Sequence, residues 1–105
     1  MSAYVNKTFF CSYSVFMVPQ GLMTIEAEAF AGTNATIIII PISVDTIESR
    51  AFAHCTGLQI LYFEGSPFSI SSDILEGCEN VTVSVVKGSS AEKWAIRYGY
   101  AVNYH

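Results

Sequence analysis

The chain writes nearly the same ten residues twice. "TIEAEAFAGT" runs from Thr24 to Thr33, and "TIESRAFAHC" runs from Thr46 to Cys55, 22 positions later. Each segment follows a proline at the same distance, Pro19 in the first case and Pro41 in the second. A more diverged unit, "SISSDILEGC" from Ser69 to Cys78, follows at a step of 23. Aligned, the units share five columns: Ile25, Ile47 and Ile70; Ala29, Ala51 and Ile74; Phe30, Phe52 and Leu75; Thr33, Cys55 and Cys78; Thr36, Leu58 and Val81. Every column stays apolar or small while the positions between vary. A unit this short cannot bury its own apolar face, so each copy must present matching side chains to the next, as stacked repeats do.

After each unit comes a run with strand chemistry: "TIIIIP" (Thr36 to Pro41), "LQILYF" (Leu58 to Phe63) and "VTVSVV" (Val81 to Val86). These residues are β-branched or aromatic and the runs have strand length. Short strands at a fixed spacing predict a parallel ladder with one strand per winding, about 4.8 Å apart. The intervening "SRAFAHC" is too short for a proper helix, so a single helical or 3₁₀ turn is expected there, with Phe52 directed inward. Glu28, Arg50 and Asp73 share a polar column and predict an ion ladder with Arg50 between two carboxylates. In the neighbouring column Glu26 and Glu48 would place like charges together. Such a surface ladder contributes at most about 1 kcal/mol per pair.

A stack has two ends that expose core, and caps are expected on both. Ser89-x-x-Glu92 forms a capping box, which starts a helix near Ser90. Trp94, Ala95 and Tyr98 then fall on one helical face that covers the last winding, and Gly99 supplies the stop. The "YAVNYH" beyond it fits a final strand. At the other end, "FFCSYSVFMV" from Phe9 to Val18 has the character of an apolar edge strand. An uncovered edge is a template for pairing, so Phe9, Phe10, Phe16 and Val18 are candidates for self-association, by a symmetric dimer or by arm exchange. A place in a longer array is the alternative. The expected partition is a strand or arm over 1–17, a solenoid of about three coils over 18–88, and a cap over 89–105.

The coil "IPISVDTIESRAFAHCTGLQILYF", Ile40 to Phe63, resembles one repeat of the BspA-like leucine-rich repeat family. Pro41, Val44, Ile47, Ala51, Phe52, Cys55 and Leu58 match that family's order of a proline, an apolar-x-x-Ile step, Ala-Phe-x-x-Cys-x-x-Leu and a short strand. The closing "VVKGSSAEKWAIRYGYAV" is similar to the end of such arrays. The resemblance covers about residues 18–102. Copy one departs from it with Thr33 for Cys and a length one residue short before Pro41, and copy three has Ile74-Leu75 for Ala-Phe. By implication the fold is an α/β, short leucine-rich-repeat solenoid with parallel strands, single-turn helical segments and a C-terminal capping helix. Similar proteins are often bacterial or protist surface proteins that bind host or matrix proteins. The resemblance therefore implies a cell-surface or secreted setting, although no clear signal peptide stands in the sequence.

Composition narrows the function. The 105 residues are 51% hydrophobic and only 13% charged, which excludes a disordered chain. Five basic residues without a cluster leave no electrostatic footprint for nucleic acid. No apolar run reaches the roughly 20 residues of a membrane span. The three cysteines, Cys11, Cys55 and Cys78, contain no C-x-x-C and make no disulfide framework. Cys55 and Cys78 share a column, yet parallel side-chain vectors suit a disulfide poorly, so a ladder of buried thiols is expected. His54 beside Cys55 is read as solvent-facing rather than as half of a nucleophilic pair, since adjacent residues point apart. Asn6, Asn34 and Asn80 open N-x-Thr triplets, which are glycan acceptors in a secreted eukaryotic protein and turn residues otherwise. Tyr62, Tyr98, Tyr100 and Tyr104 are candidates for a protein-binding surface, with core and cap packing as the alternative. No residue pattern calls for a catalytic group, metal or cofactor. The expected function is a non-enzymatic interaction module, with a self-associating scaffold as the second reading and an enzyme as the third.

Overall fold

The computed structural model describes residues 14–105; Phe9 and Phe10 lie outside them, as do Cys11 and Asn6. Among the described residues eight strands and one helix follow in the order β1 (Val15–Met17), β2 (Thr24–Ile25), β3 (Ile37–Ile40), β4 (Thr46–Ile47), β5 (Ile60–Phe63), β6 (Ser69–Ile70), β7 (Thr82–Val85), α1 (Ser90–Arg97) and β8 (Ala101–Tyr104). Alternate strands build two parallel sheets, β1-β3-β5-β7-β8 and β2-β4-β6. Each of the first three windings thus gives one strand to each sheet, the fourth gives β7 and then the helix, and about four windings make a short β-solenoid.

Register follows the repeat. Val15 pairs with Ile37, Ile37 with Ile60 and Ile60 with Thr82, while Thr24 pairs with Thr46 and Thr46 with Ser69. The step of 22 becomes 23 between β3 and β5 because coil 1 has one linking residue fewer between Thr33 and its following strand. That shift corrects one predicted column. Leu58 is matched by Ala35, which is 2% exposed, whereas Thr36 is only half-buried. Thr36 instead receives the Ser14 N–H on its hydroxyl.

The core runs up the middle of the stack. Ile25, Ile38, Ile40, Ile47, Phe52, Leu58, Leu61, Phe63, Ile74, Leu75, Val83 and their neighbours are buried in one cluster. Phe30 and Phe52 stack with ring centroids 5.9 Å apart and an interplanar angle of 14°, as the repeated column requires.

The segments between the sheets are not single helical turns. They are successive β-turns, because every second N–H is used across coils. Ala29 N donates to Glu26 O, Ala31 N to Glu28 O and Thr33 N to Phe30 O, while Glu28 N, Phe30 N and Gly32 N donate to Ser49, Ala51 and Ala53 of the next coil. A helix would need all of those N–H groups for itself. Left-handed backbone at Glu28 (φ 60°), Arg50 (φ 59°), Gly32 (φ 75°) and Gly77 (φ 81°) sits at the third position of such turns, where a type II turn requires it.

The helix starts where the capping box places it. Ser89 Oγ accepts from Glu92 N at 3.2 Å, and the Glu92 carboxylate accepts from Gly88 N at 2.7 Å, one residue before the usual partner. Ala91, Trp94 and Ala95 are buried against the last coil. Tyr98, predicted on that face, is instead the C-cap and is 43% exposed, because the helix ends at Arg97 and Gly99 (φ 80°) turns the chain away. The strand β8 then pairs in parallel with β7 and extends the larger sheet.

Candidate protein-binding surface

Alternation along the larger sheet sends Phe16, Ile38, Ile40, Leu61, Phe63, Val83 and Val85 inward. The residues between them form its outer face. Two rows cross that face in register: Val15, Ile37, Ile60, Thr82 and Ala101; and Met17, Ile39, Tyr62, Ser84 and Asn103. The first three positions of both rows are apolar or aromatic, and the last two are small or polar. Val15 is 57% and Met17 46% exposed, with Ile37, Ile39, Ile60 and Tyr62 half-buried. The face therefore grades from apolar over the first three coils to small or polar at Ala101 and Asn103, with Ser84 between them only 2% exposed.

Sequence reasoning found Tyr62 and missed the five aliphatic residues beside it. The signal was present: "IIII" over β3 shows no polar alternation, which marks a strand that is apolar on both faces. Tyr62 itself is held by the last residue. The His105 imidazole stacks on it at 4.1 Å, with Nδ1 3.2 Å from the Tyr62 hydroxyl and Nε2 2.9 Å from Phe63 O.

The four predicted tyrosines do not form one patch. Tyr62 lies on the outer face of the sheet. Tyr100 is half-buried and stacked on Trp94 at 5.0 Å, as cap packing. Tyr98 is exposed with the Arg97 guanidinium 5.7 Å above its ring. Tyr104 is half-exposed and donates its hydroxyl to Glu92. Of the N-terminal candidates in the described residues, Phe16 packs on Phe30 with centroids 5.0 Å apart, and Val18 is 0% exposed inside the core.

The polar columns are partly rearranged. Arg50 bridges Glu28 at 3.3 Å as expected, but its second carboxylate is Glu76, 3.7 Å from Nε, not Asp73. Asp73 is taken up elsewhere. It accepts from the hydroxyls of Ser49 and Ser71, both at 2.8 Å, and from Arg50 N. Those hydroxyls, Ser49 first, hold its carboxyl below the usual carboxylate range. Glu48 Oε1 accepts from Ala27 N at 3.2 Å.

Cys55 is buried and Cys78 half-buried, both as free thiols. Each donates to a phenylalanine carbonyl of the preceding coil, Cys55 to Phe30 O at 3.4 Å and Cys78 to Phe52 O at 3.2 Å. Thr33, the first member of the column, donates to Phe30 O at 2.6 Å. His54 is exposed at φ 59°. A shallow cavity of about 400 Å³ is lined by Cys78, Asn80, Val81, Thr82, Gly99, Tyr100 and Ala101. Burial raises both the Cys78 thiol and the Tyr100 phenol above their ordinary values, so neither offers a base at neutral pH. Among the described residues no group of three or more His, Cys, Asp or Glu side chains is placed to hold a metal ion, and no helix is long and apolar enough to cross a membrane.

Parallel windings, one strand of the larger sheet per coil, and an apolar outer strand face together define a leucine-rich-repeat solenoid of the kind used in protein interactions. The family model for the BspA type leucine rich repeat region (six copies) matches residues 4–94, and the chain belongs to that family. Repeat proteins of this type generally have no enzymatic activity. No curated protein and no solved structure matches the chain.

Proposed function

We propose that the chain is a non-enzymatic adhesion module that holds a protein partner, of the host or matrix type, on the outer face of its larger sheet. One observation carries the reading: Val15, Met17, Ile37, Ile39, Ile60 and Tyr62 make a continuous, partly exposed apolar band in register across three coils. Burying such a band against a partner releases its water, and an aromatic within an aliphatic surround is the usual anchor of an interface. A cell-surface or secreted setting is part of the same proposal.

Binding of the chain to a panel of immobilised extracellular-matrix proteins tests it. The expected result is a response to at least one of them that falls tenfold or more in Ile39→Glu and Tyr62→Ala, and stays unchanged in Lys87→Ala, an exposed residue outside the band. No response across the panel, or equal binding by all variants, overturns the reading. Self-association through the N-terminal strand draws less support, because Phe16 and Val18 are engaged in the chain's own core.

A further inference from the structure

We infer that Cys55 and Cys78 are a redox pair, able to close a disulfide between two adjacent coils when a low-molecular-weight disulfide such as oxidised glutathione is present. The two residues stand one above the other in the repeat. His54 N donates to Glu76 O and Phe52 N to Ile74 O, which holds the two coils together immediately before the column. In-register neighbours in a parallel stack are about 4.8 Å apart, inside the Cα separation that a disulfide spans. The two thiols also repeat one contact a coil apart, Cys55 donating to Phe30 O and Cys78 to Phe52 O, which places them in the same column of the stack.

The opposing argument is direction, since side chains leaving adjacent coils in parallel must rotate to meet. Cys78 has room for that rotation. Thr82 pairs with Ala101, 19 residues on, rather than at the step of 22 or 23 kept by the earlier coils. The column therefore ends at Cys78, which lines the cavity of about 400 Å³. Cys55, sealed at 0% exposure, can be reached only through its neighbour.

The exchange has two steps. The Cys78 thiolate attacks one sulfur of the oxidant, forming a mixed disulfide and releasing one glutathione thiolate. The Cys55 thiolate then attacks the Cys78 sulfur and expels the second. Two protons leave the protein thiols and protonate the two glutathiones, so the protein dithiol is oxidised as one glutathione disulfide is reduced. Burial holds both thiols in the protonated form at neutral pH, so the reaction is slow there and faster in mild alkali. The S–H bonds to Phe30 O and Phe52 O are given up, and Phe30 O keeps its bonds from Thr33.

The test uses the folded chain carrying Cys11→Ser, so that only the pair can react. After oxidised glutathione and then an alkylating agent, intact mass should fall by the two hydrogens of the thiols, with no alkylation and no retained glutathione. Peptide mapping should join Cys55 to Cys78. In the Cys55→Ser variant a single glutathione should remain on Cys78. A persistent glutathione adduct on Cys78 with Cys55 still alkylatable overturns the pair. So does a folded chain that stays fully reduced under conditions that oxidise the same chain in denaturant.

Discussion

Trp94 donates its indole N–H to the carbonyl oxygen of Ser71 at 3.0 Å. The two residues that share Ser71's place in the earlier coils, Glu26 and Glu48, use that carbonyl for a local turn, accepting from Ala29 N and Ala51 N. The cap thus attaches to the stack by its backbone polarity as well as by apolar cover. Ser90 anchors the other end of the helix, accepting from and donating to the Ser66–Pro67 corner.

Two substitutions separate those contributions. Trp94→Phe keeps most of the ring and strands Ser71 O, for an expected loss of about 1 kcal/mol. Trp94→Ala removes a side chain only 6% exposed and should cost about 3–5 kcal/mol. Urea unfolding measures both. Equal losses would mean that the indole N–H, not the ring, holds the cap.

Gly77 and His54 are coupled by contact. A Cβ at Gly77 would stand 2.3 Å from His54 Nδ1, and Gly77 has φ +81°. Gly77→Ala therefore carries both a displaced imidazole and a left-handed alanine, at a cost of about 1–2 kcal/mol. His54→Gly relieves a left-handed histidine and should gain up to about 1 kcal/mol, since glycine's entropy in the unfolded chain offsets part of the relief. In the His54→Gly background, Gly77→Ala should cost less than in the parent. A double-mutant cycle with no coupling would exclude the contact.

The columns of the repeat were legible in sequence because stacking forces the same side-chain type into the same place. Ile25, Ile47 and Ile70, and the pair Phe30 and Phe52, needed nothing else. Local length changes were harder. One linking residue fewer after Thr33 moved Ala35, not Thr36, under Leu58, and a shared letter position does not reveal such a slip. Surface reach was harder again. Asp73 occupies the predicted column, but Ser49 and Ser71 hold it, and Arg50 turns to Glu76. Tyr98 continues the helical period on paper, although Gly99 stops the helix before the period can act. The outer strand face was harder to read because the unbroken "IIII" has no polar alternation to separate the buried Ile38 and Ile40 from the half-buried Ile37 and Ile39.

Arg50 tests how much the ion ladder contributes against the strain beneath it. Its pairs with Glu28 and Glu76 are solvent-exposed, so Arg50→Ala should lose no more than about 1 kcal/mol, and less in high salt. Arg50→Gly loses the same pairs but relaxes φ 59°, and it should be at least as stable as Arg50→Ala. Thermal unfolding of the two variants, in low and high salt, gives the comparison. An alanine variant clearly more stable than the glycine variant would argue against left-handed strain at this position.

Stability should also vary with pH at two identifiable places. Asp73 is held below its ordinary range by the Ser49 and Ser71 hydroxyls, so the folded chain binds its proton less readily than the unfolded chain does. The stability it lends is complete above the ordinary carboxyl pKa and is lost as pH falls through the depressed folded value. Glu92 behaves alike, held down by the Tyr104 hydroxyl and then by Gly88 N–H. Tyr104 is its mirror image: the bond to Glu92 raises the phenol, so that contribution is present below the ordinary tyrosine pKa and is lost as pH rises through the folded one. Asp73→Asn should flatten only the acid limb of a stability-against-pH curve, whereas Glu92→Gln should flatten the acid and alkaline limbs together. Denaturant midpoints recorded from acid to alkaline pH would show this. An alkaline limb unchanged in Glu92→Gln would mean that the Glu92–Tyr104 bond is not held in solution.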